Sequence, residues 1–196
     1  MNFGSDEVEP TYRAYARLLA ETVPGLFDGR YGLVTEFGRS LLAKHGTILA
    51  RVEYAKSAGG RPIAVTHAGA QVAMRTVYAP QSWPLRVAAF DEKGLPKTGD
   101  PVHQDVAGPC CFAGDLVAEN RPLPRLEAGD HAALLDTGAY YFSTHFAYNS
   151  LPRPGVYGFA TSDETVRFTP VRAPQSIADL VTESGGEYAT GLSGMG

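Results

Sequence analysis

The first 46 residues carry the hydrophobic pattern of two helices separated by a strand. Apolar residues recur at helical spacing from the acidic stretch at Asp6 to Pro24, where the first helix is expected to end. Residues 31–35 form an apolar run typical of a short buried strand, and residues 40–45 have the pattern of a short helix. A strand followed by a helix predicts one βα unit of a larger α/β domain.

From residue 47 onward the pattern changes to short apolar or alternating runs separated by Gly, Pro, Asn and Asp residues. Many short strands at regular spacing predict a β-sandwich or barrel. One more short helix is expected at residues 176–182, and the Gly- and Ser-rich residues 183–196 are expected to form a frayed tail. The predicted strands are residues 47–55, 62–66, 72–78, 85–90, 116–118, 132–135 and 166–171.

Composition narrows the function classes. The 196 residues are 44% hydrophobic and 19% charged, which is typical of a globular protein. The net charge of −4 gives no electrostatic reason to expect a nucleic-acid or anionic-membrane partner. No apolar run approaches the roughly 20 residues of a membrane span, and the acidic N-terminal stretch lacks a signal-peptide pattern. We therefore expect a cytoplasmic protein.

Two short motifs carry groups suited to chemistry. Glu36 and Arg39 flank Gly38 at a predicted strand end, which suits either an anion-binding turn or an ordinary surface turn with a Glu/Arg pair. Cys110 and Cys111 are adjacent, so they cannot crosslink distant parts of the chain, and metal-binding spacing is absent. They are either buried packing thiols or include one reactive thiol. We expect no metal.

Four motifs, in order and with matching separations, resemble the C-terminal half of the fold-type III pyridoxal-phosphate decarboxylases, the diaminopimelate/ornithine/arginine group. They are T-E-F-G-R at residues 35–39, G-P-C-C-F-A-G-D at 108–115, D-T-G-A-Y at 136–140, and Y-N-S with P-R-P within 148–154. The resemblance covers roughly residues 4–171.

This resemblance implies a mainly β fold in three parts. Residues 1–46 would be the last βα unit of a truncated (β/α)8 barrel that binds pyridoxal phosphate. Residues 47–182 would form a Greek-key β-barrel domain like the C-terminal domain of alanine racemase, and residues 183–196 a flexible tail.

The resemblance also implies pyridoxal 5'-phosphate as the cofactor and assigns roles to single residues. Glu36 would face the ring nitrogen, while Gly38, Arg39 and Tyr140 would hold the phosphate. Cys111 would reach across a homodimer interface and return a proton to the carbon that has lost carbon dioxide, since a thiol pKa lies near neutrality. Cys110 would then be a packing residue.

In the diaminopimelate branch, the substrate is held by residues that correspond to Arg39, Arg75 and Tyr78, with Tyr78 one position early. Arg75 is equally compatible with a solvated charge on a strand. Phe112 stands where the family carries an acid that binds the distal ammonium of the substrate, and Phe offers neither charge nor acceptor. The resemblance therefore predicts a decarboxylase of an altered amino-acid substrate, such as an amino acid conjugated through its distal amine, as in citrate-siderophore pathways with related decarboxylases.

The family's Schiff-base lysine lies upstream of all these motifs, and no lysine here occupies its position; Lys44 is expected to be a surface charge. We therefore expect the chain alone to be inactive. One alternative is a non-catalytic, decarboxylase-like dimerisation or regulatory subunit, which the missing lysine and Phe112 favour. The other is a racemase-like enzyme with the same cofactor, against which the thiol loop argues.

Overall fold

The structure is a computed structural model and describes residues 8–162, 165–186 and 188. Eight strands and four α-helices are assigned within these ranges. The strands are β1 (Thr47–Ala58), β2 (Arg61–Thr66), β3 (Val87–Phe90), β4 (Pro101–Ala107), β5 (Leu116–Pro124), β6 (His131–Leu135), β7 (Val156–Ser162) and β8 (Thr165–Arg172). The helices are α1 (Tyr12–Thr22), α2 (Gly38–Leu42), α3 (Ala70–Tyr78) and α4 (Ile177–Glu183), with short 3-10 helices at Pro24–Phe27, Ala43–His45 and Tyr148–Ser150.

Six strands form one curved sheet in the order β3-β6-β1-β2-β4-β5. Neighbouring strands run antiparallel except β2 and β4, which are parallel. The two edges approach each other, because the guanidinium of Arg121 on β5 donates to the carbonyl of Leu85, just before β3, at 2.9 Å. The sheet is therefore nearly closed into a barrel, which confirms the prediction of a mainly β fold. Strands β7 and β8 form a separate hairpin.

The core lies inside the curled sheet and is built from fully buried aliphatic side chains, including Leu85, Leu126 and Leu134. Burying one such side chain stabilises the fold by about 1.5–3 kcal/mol. Gln104 is also fully buried, but its amide donates to the carbonyls of Leu123 and Pro124 and its oxygen accepts from the Leu126 N–H. Because all three groups are satisfied, this polar residue fixes the loop after β5 rather than weakening the core.

Six of the predicted strands are confirmed, but residues 72–78 form helix α3 and not a strand. The helix begins where the Ala70 N–H donates to the Asp115 carboxylate at 2.6 Å, a cap that comes from 45 residues away. Val72, Ala73 and Thr76 are buried at helical spacing. A short apolar run suits a strand or a helix equally, and here a distant cap decides for the helix.

The prediction of a strand at residues 31–35 is also wrong, so the described part of the N-terminal segment, residues 8–46, holds helices but no βα unit. A parallel strand needs a neighbour to pair with, and within the described ranges none lies beside this segment. Its apolar side chains face solvent, with Val34 93% exposed.

The observed helix boundaries differ from the predicted ones by several residues near the N-terminus of the chain and agree closely near its C-terminus. Helix α1 begins at Tyr12 because the Thr11 hydroxyl caps the helix by accepting a hydrogen bond from the Ala14 N–H at 3.1 Å. This start is later than the acidic stretch at which the helix was predicted to begin. Asp6 lies outside the described residues. Helix α4 confirms the predicted helix at 176–182, and most of the expected tail at 183–196 lies outside the described residues.

Lys44 is not the surface charge that was expected. Its side chain is 5% exposed, and its Nζ lies 3.0 Å from Oδ1 of the buried Asp136, which also accepts two hydrogen bonds of 2.8 Å from Arg86. Burial alone would raise the pKa of Asp136, but the hydrogen bonds from Arg86 and Lys44 hold it below the ordinary carboxyl value. This ion cluster joins the N-terminal segment to the end of β6.

Within the described ranges, no helix combines the length and apolarity that a membrane crossing requires.

Candidate functional site

Three of the predicted cofactor-binding residues, Glu36, Gly38 and Tyr140, line one cleft of about 730 Å³. The remaining lining residues are Tyr12, Thr35, Phe37 and Leu41. The space beside the Gly38 Cα is open, so its backbone is accessible from the cleft. A carboxylate, several hydroxyls and an accessible backbone suit a ligand that has both a basic ring nitrogen and a phosphate. In the described part of the chain, no lysine lines this cleft.

The cleft exists because the N-terminal segment packs directly on the D-T-G-A-Y turn. A Cβ at Gly138 would overlap the Leu42 carbonyl, so only glycine allows this approach. The Gly138 N–H donates to the Ala43 carbonyl and the Thr137 N–H to the Gly46 carbonyl, both at 3.0 Å. These contacts bring residues 36–38 and residue 140 to the same opening.

Tyr140 is held in an unusual backbone conformation, with φ of 73°. A non-glycine residue in this region costs about 1–3 kcal/mol and persists only where its surroundings impose it. The Tyr140 carbonyl accepts hydrogen bonds from the backbone N–H and the hydroxyl of both Ser143 and Thr144. This turn fixes the direction in which the phenol points.

Two arginines pack against the Trp83 ring, beside the cleft. The guanidinium carbons of Arg39 and Arg75 lie 4.1 Å and 4.4 Å from the Trp83 ring centre, and that of Arg75 also lies 4.2 Å from the Tyr140 ring centre. Burial lowers the pKa of Arg39 from its usual value. Since Arg75 lies on helix α3, it is not a solvated strand charge. Two guanidiniums on one aromatic platform favour binding of an anionic group.

Trp83 is a site residue that the sequence reasoning missed. The available signal was weak: it is the only tryptophan of the chain, and it lies in the turn-rich segment between α3 and β3.

The two cysteines have different environments. Cys110 is buried and burial raises the pKa of its thiol, which confirms that it packs in the interior. Cys111 is exposed, with its Sγ 3.5 Å from the Tyr148 hydroxyl and 3.1 Å from Nδ2 of Asn149. The hydrogen bonds from Tyr148 and Asn149 lower the pKa of the Cys111 thiol. Of the two, Cys111 is the thiol suited to proton transfer.

The cysteine loop is anchored to helix α3 by Asp115, which is 3% exposed. Its two carboxylate oxygens accept from the Ala70 N–H at 2.6 Å and from the Cys110 N–H at 2.7 Å. Gly69 and Gly108 pack so closely against this carboxylate that a Cβ on either would overlap it. One buried side chain therefore sets the position of the thiol loop relative to the helix that carries Arg75.

Next to the thiol lies an aromatic group, which we call the aromatic wall and which consists of Tyr78, Phe112, Phe146 and Tyr148. Tyr78 and Phe112 are stacked, with ring centres 5.8 Å apart and planes at 4°. Phe112 and Phe146 lie 5.5 Å and 5.7 Å from the Tyr148 ring. These ring faces are largely apolar surfaces and supply no carboxylate to form an ion pair with an ammonium group.

The predicted site residues thus form two clusters rather than one. Glu36, Gly38, Arg39, Arg75 and Tyr140 lie together around the cleft and Trp83, whereas Cys111, Phe112 and Tyr78 lie at the aromatic wall. Helix α3 contributes to both. Cys111 is not among the described residues that line the cleft. In the described part of the chain, no three His, Cys, Asp or Glu side chains are arranged to hold a metal ion.

Comparison with known proteins identifies the relatives of this chain. Residues 27–138, more than half of its length, match the family described as pyridoxal-dependent decarboxylase, C-terminal sheet domain. Diaminopimelate decarboxylase of Helicobacter pylori is 29% identical over 181 residues, which are 90% of this chain and 41% of that protein. The Pseudomonas aeruginosa enzyme is 34% identical over 149 residues, 76% of this chain and 33% of that protein.

The fold agrees with solved structures of the same group. The crystal structure of diaminopimelate decarboxylase from Helicobacter pylori complexed with L-lysine matches with a TM-score of 0.74 at 22% identity, over 95% of this chain and 43% of that one. At that identity the likeness concerns the fold. The chain spans about a third to two fifths of the length of these relatives. From the family match over more than half of its length, the chain belongs to the pyridoxal-dependent decarboxylases and contains their C-terminal sheet domain.

Proposed function

We propose that this chain forms part of the active site of a pyridoxal-phosphate-dependent amino-acid decarboxylase. The observation that carries the proposal is the shared cleft of Glu36, Gly38 and Tyr140, in a chain that belongs to the decarboxylase family. An α/β barrel domain would supply the Schiff-base lysine. The exposed apolar residues of the N-terminal segment, such as Leu33 at 52% and Val34 at 93%, support residues 1–46 as a part of that barrel, with residues 47–182 as the β domain.

When bound, pyridoxal phosphate supplies an electron sink for cleavage of the bond to the carboxylate carbon. The Glu36 carboxylate would keep a proton on the ring nitrogen. The backbone N–H of Gly38 and the hydroxyl of Tyr140 would donate to the phosphate, with Arg39 as its counter-charge. The strained Tyr140 turn supports this role, because it holds the hydroxyl at the cleft without a rearrangement on binding.

Arg75 and Tyr78 would bind the substrate, together with Arg39. The contacts with Trp83 support this assignment, since they hold both guanidiniums, groups suited to binding a carboxylate, against one ring beside the cleft. Cys111 would donate the proton that replaces carbon dioxide, in a homodimer whose two active sites are shared. Its exposure supports access to a second subunit.

The substrate would have no free distal ammonium. Phe112 is stacked on Tyr78, so the group next to the thiol is an aromatic face and not an acid. An ammonium buried there without a partner would cost several kcal/mol. We therefore propose an amino acid whose distal amine is neutral, such as one conjugated through an amide.

The test measures carbon dioxide release by the protein together with its barrel domain, using free diaminopimelate and an analogue acylated at the distal amine. We expect turnover of the acylated analogue and little turnover of the free diamine. The Phe112→Asp variant should reverse this preference, and Tyr157→Phe, on strand β7, should leave it unchanged. Release from neither compound would refute the proposed substrate class.

A second candidate is a non-catalytic dimerisation or regulatory subunit. The observation that favours it is the ion pair of Lys44 with buried Asp136, since this is the lysine next to the Glu36–Arg39 loop and it is already bound. A protein that carries the barrel domain but shows no cofactor absorbance and no carbon dioxide release would favour this candidate.

A further inference from the structure

The exposed thiol of Cys111 has two hydrogen-bonding partners that come from one short segment. The Tyr148 hydroxyl lies 3.5 Å from Sγ, and the Asn149 side-chain amide donates to it at 3.1 Å. Both residues lie in the 3-10 helix Tyr148–Ser150, 37 and 38 residues further along the chain than the thiol. A surface thiol meets water on most sides, so two fixed donors indicate a built environment.

The segment that carries the donors is held in place by contacts other than those with the sulfur atom. The Tyr148 ring packs against Phe112 and Phe146, which directs its hydroxyl. Asn149 has φ of 50° and ψ of 34°, a left-handed conformation that asparagine tolerates better than most residues. The Leu151 N–H donates to the Tyr148 carbonyl at 3.0 Å and closes the turn.

We propose that Tyr148 and Asn149 are positioning residues that stabilise the thiolate of Cys111 and so tune its proton transfer. This inference rests on the proposed role of Cys111 as the proton donor. In that step the S–H bond breaks and a C–H bond forms at the carbon that has lost carbon dioxide. The electron pair left on sulfur is then stabilised by the O–H of Tyr148 and the N–H of Asn149. Because Cys111 is exposed, water can return the proton.

Among the groups around the thiol, these two partners have the largest effect on its pKa. The other titratable groups nearby are Cys110 and Tyr78, which act on Tyr148, and Asp115, which acts on Cys110. The Asp115 carboxylate is engaged by the N–H groups of Ala70 and Cys110. The hydrogen bond with Cys111 raises the pKa of Tyr148 to about 12, so the phenol stays a donor throughout the range in which a thiol titrates.

The test is the rate of alkylation of Cys111 by iodoacetamide as a function of pH, followed by mass spectrometry of the folded chain. Tyr148→Phe removes only the hydroxyl and keeps the packed ring. We expect its alkylation rate at neutral pH to fall about threefold or more, with the titration midpoint shifted to higher pH, because less thiolate is present. Asn149→Gly, which suits the positive φ, should shift the midpoint in the same direction.

Two internal controls accompany the test. Cys110 should remain unmodified in every variant, since it is buried, and Tyr157→Phe should titrate like the wild type. If both Tyr148→Phe and Asn149→Gly keep the wild-type alkylation profile while their circular dichroism is unchanged, the inference is wrong. The ultraviolet absorbance of the thiolate gives a second titration of the same group.

This assay needs neither cofactor nor substrate, so its outcome is separate from that of the proposed function. A shifted thiol titration combined with full turnover of Cys111→Ala would overturn the proton-donor role but leave the thiolate environment established. An unshifted titration would overturn the inference whatever the turnover.

Discussion

Replacing Asp115 with asparagine should detach the thiol loop from helix α3. The carboxylate is buried and accepts two backbone hydrogen bonds, from Ala70 at 2.6 Å and Cys110 at 2.7 Å. Asparagine offers one oxygen, so one N–H would face the amide NH₂ without a partner. A hydrogen bond to a charged group contributes about 1.5–3 kcal/mol and an orphaned buried N–H adds a further penalty, so we expect a loss of roughly 3 kcal/mol.

The assay is urea unfolding followed by the fluorescence of Trp83, the only tryptophan. The matched control is Asp100→Asn, at an exposed position, which should change the free energy of unfolding by less than about 0.5 kcal/mol. The expected signature is a lower urea midpoint for Asp115→Asn with an unchanged slope. If the two variants unfold at the same midpoint, the carboxylate does not anchor the loop and the reasoning fails.

Three further predictions concern the packing around the two clusters. Gly108→Ala should lower the free energy of unfolding by about 1–3 kcal/mol, since the added methyl overlaps Asp115; a wild-type urea midpoint would contradict this. The pKa of Asp136 is lowered in the folded state, so its stabilising contribution is present above the unfolded pKa of about 3.9 and is lost as the pH falls through the folded pKa. The urea midpoint of the wild type should therefore fall at acid pH, and Asp136→Asn should make this fall less steep. An equally steep fall in the variant would refute the prediction. Trp83→Leu should raise KM for an anionic substrate more than it lowers kcat, because the arginines lose their platform; an unchanged KM would argue against that role.

The strand content was predictable because apolar and polar positions alternate along much of β1, and because β6 is a short apolar run that follows a turn. Strand β4 escaped prediction because its buried positions include Gln104 and Asp105, whose burial depends on partners distant in sequence. Helix α3 was mistaken for a strand for the same kind of reason, since its cap is Asp115. A local sequence pattern cannot reveal contacts with residues that are distant in the chain and close only in the fold.

In the candidate site, too, some features could be predicted from the sequence and others could not. The motifs were enough to select Glu36, Gly38 and Tyr140, and the structure places them on one cleft. The burial of Lys44 and the contacts of Trp83 with two arginines depend on residues distant in sequence, so local patterns could not predict them. Their discovery required the positions of the side chains in space.

The central claim is that this chain completes a decarboxylase site and that Cys111 supplies its proton. The most direct measurement is carbon dioxide release by the protein joined to the proposed barrel domain, compared between wild type and Cys111→Ala, with cofactor binding followed by visible absorbance. The account predicts equal cofactor binding and a turnover that falls by about 10²-fold or more in the variant. Turnover equal to that of the wild type, with cofactor bound, would contradict it.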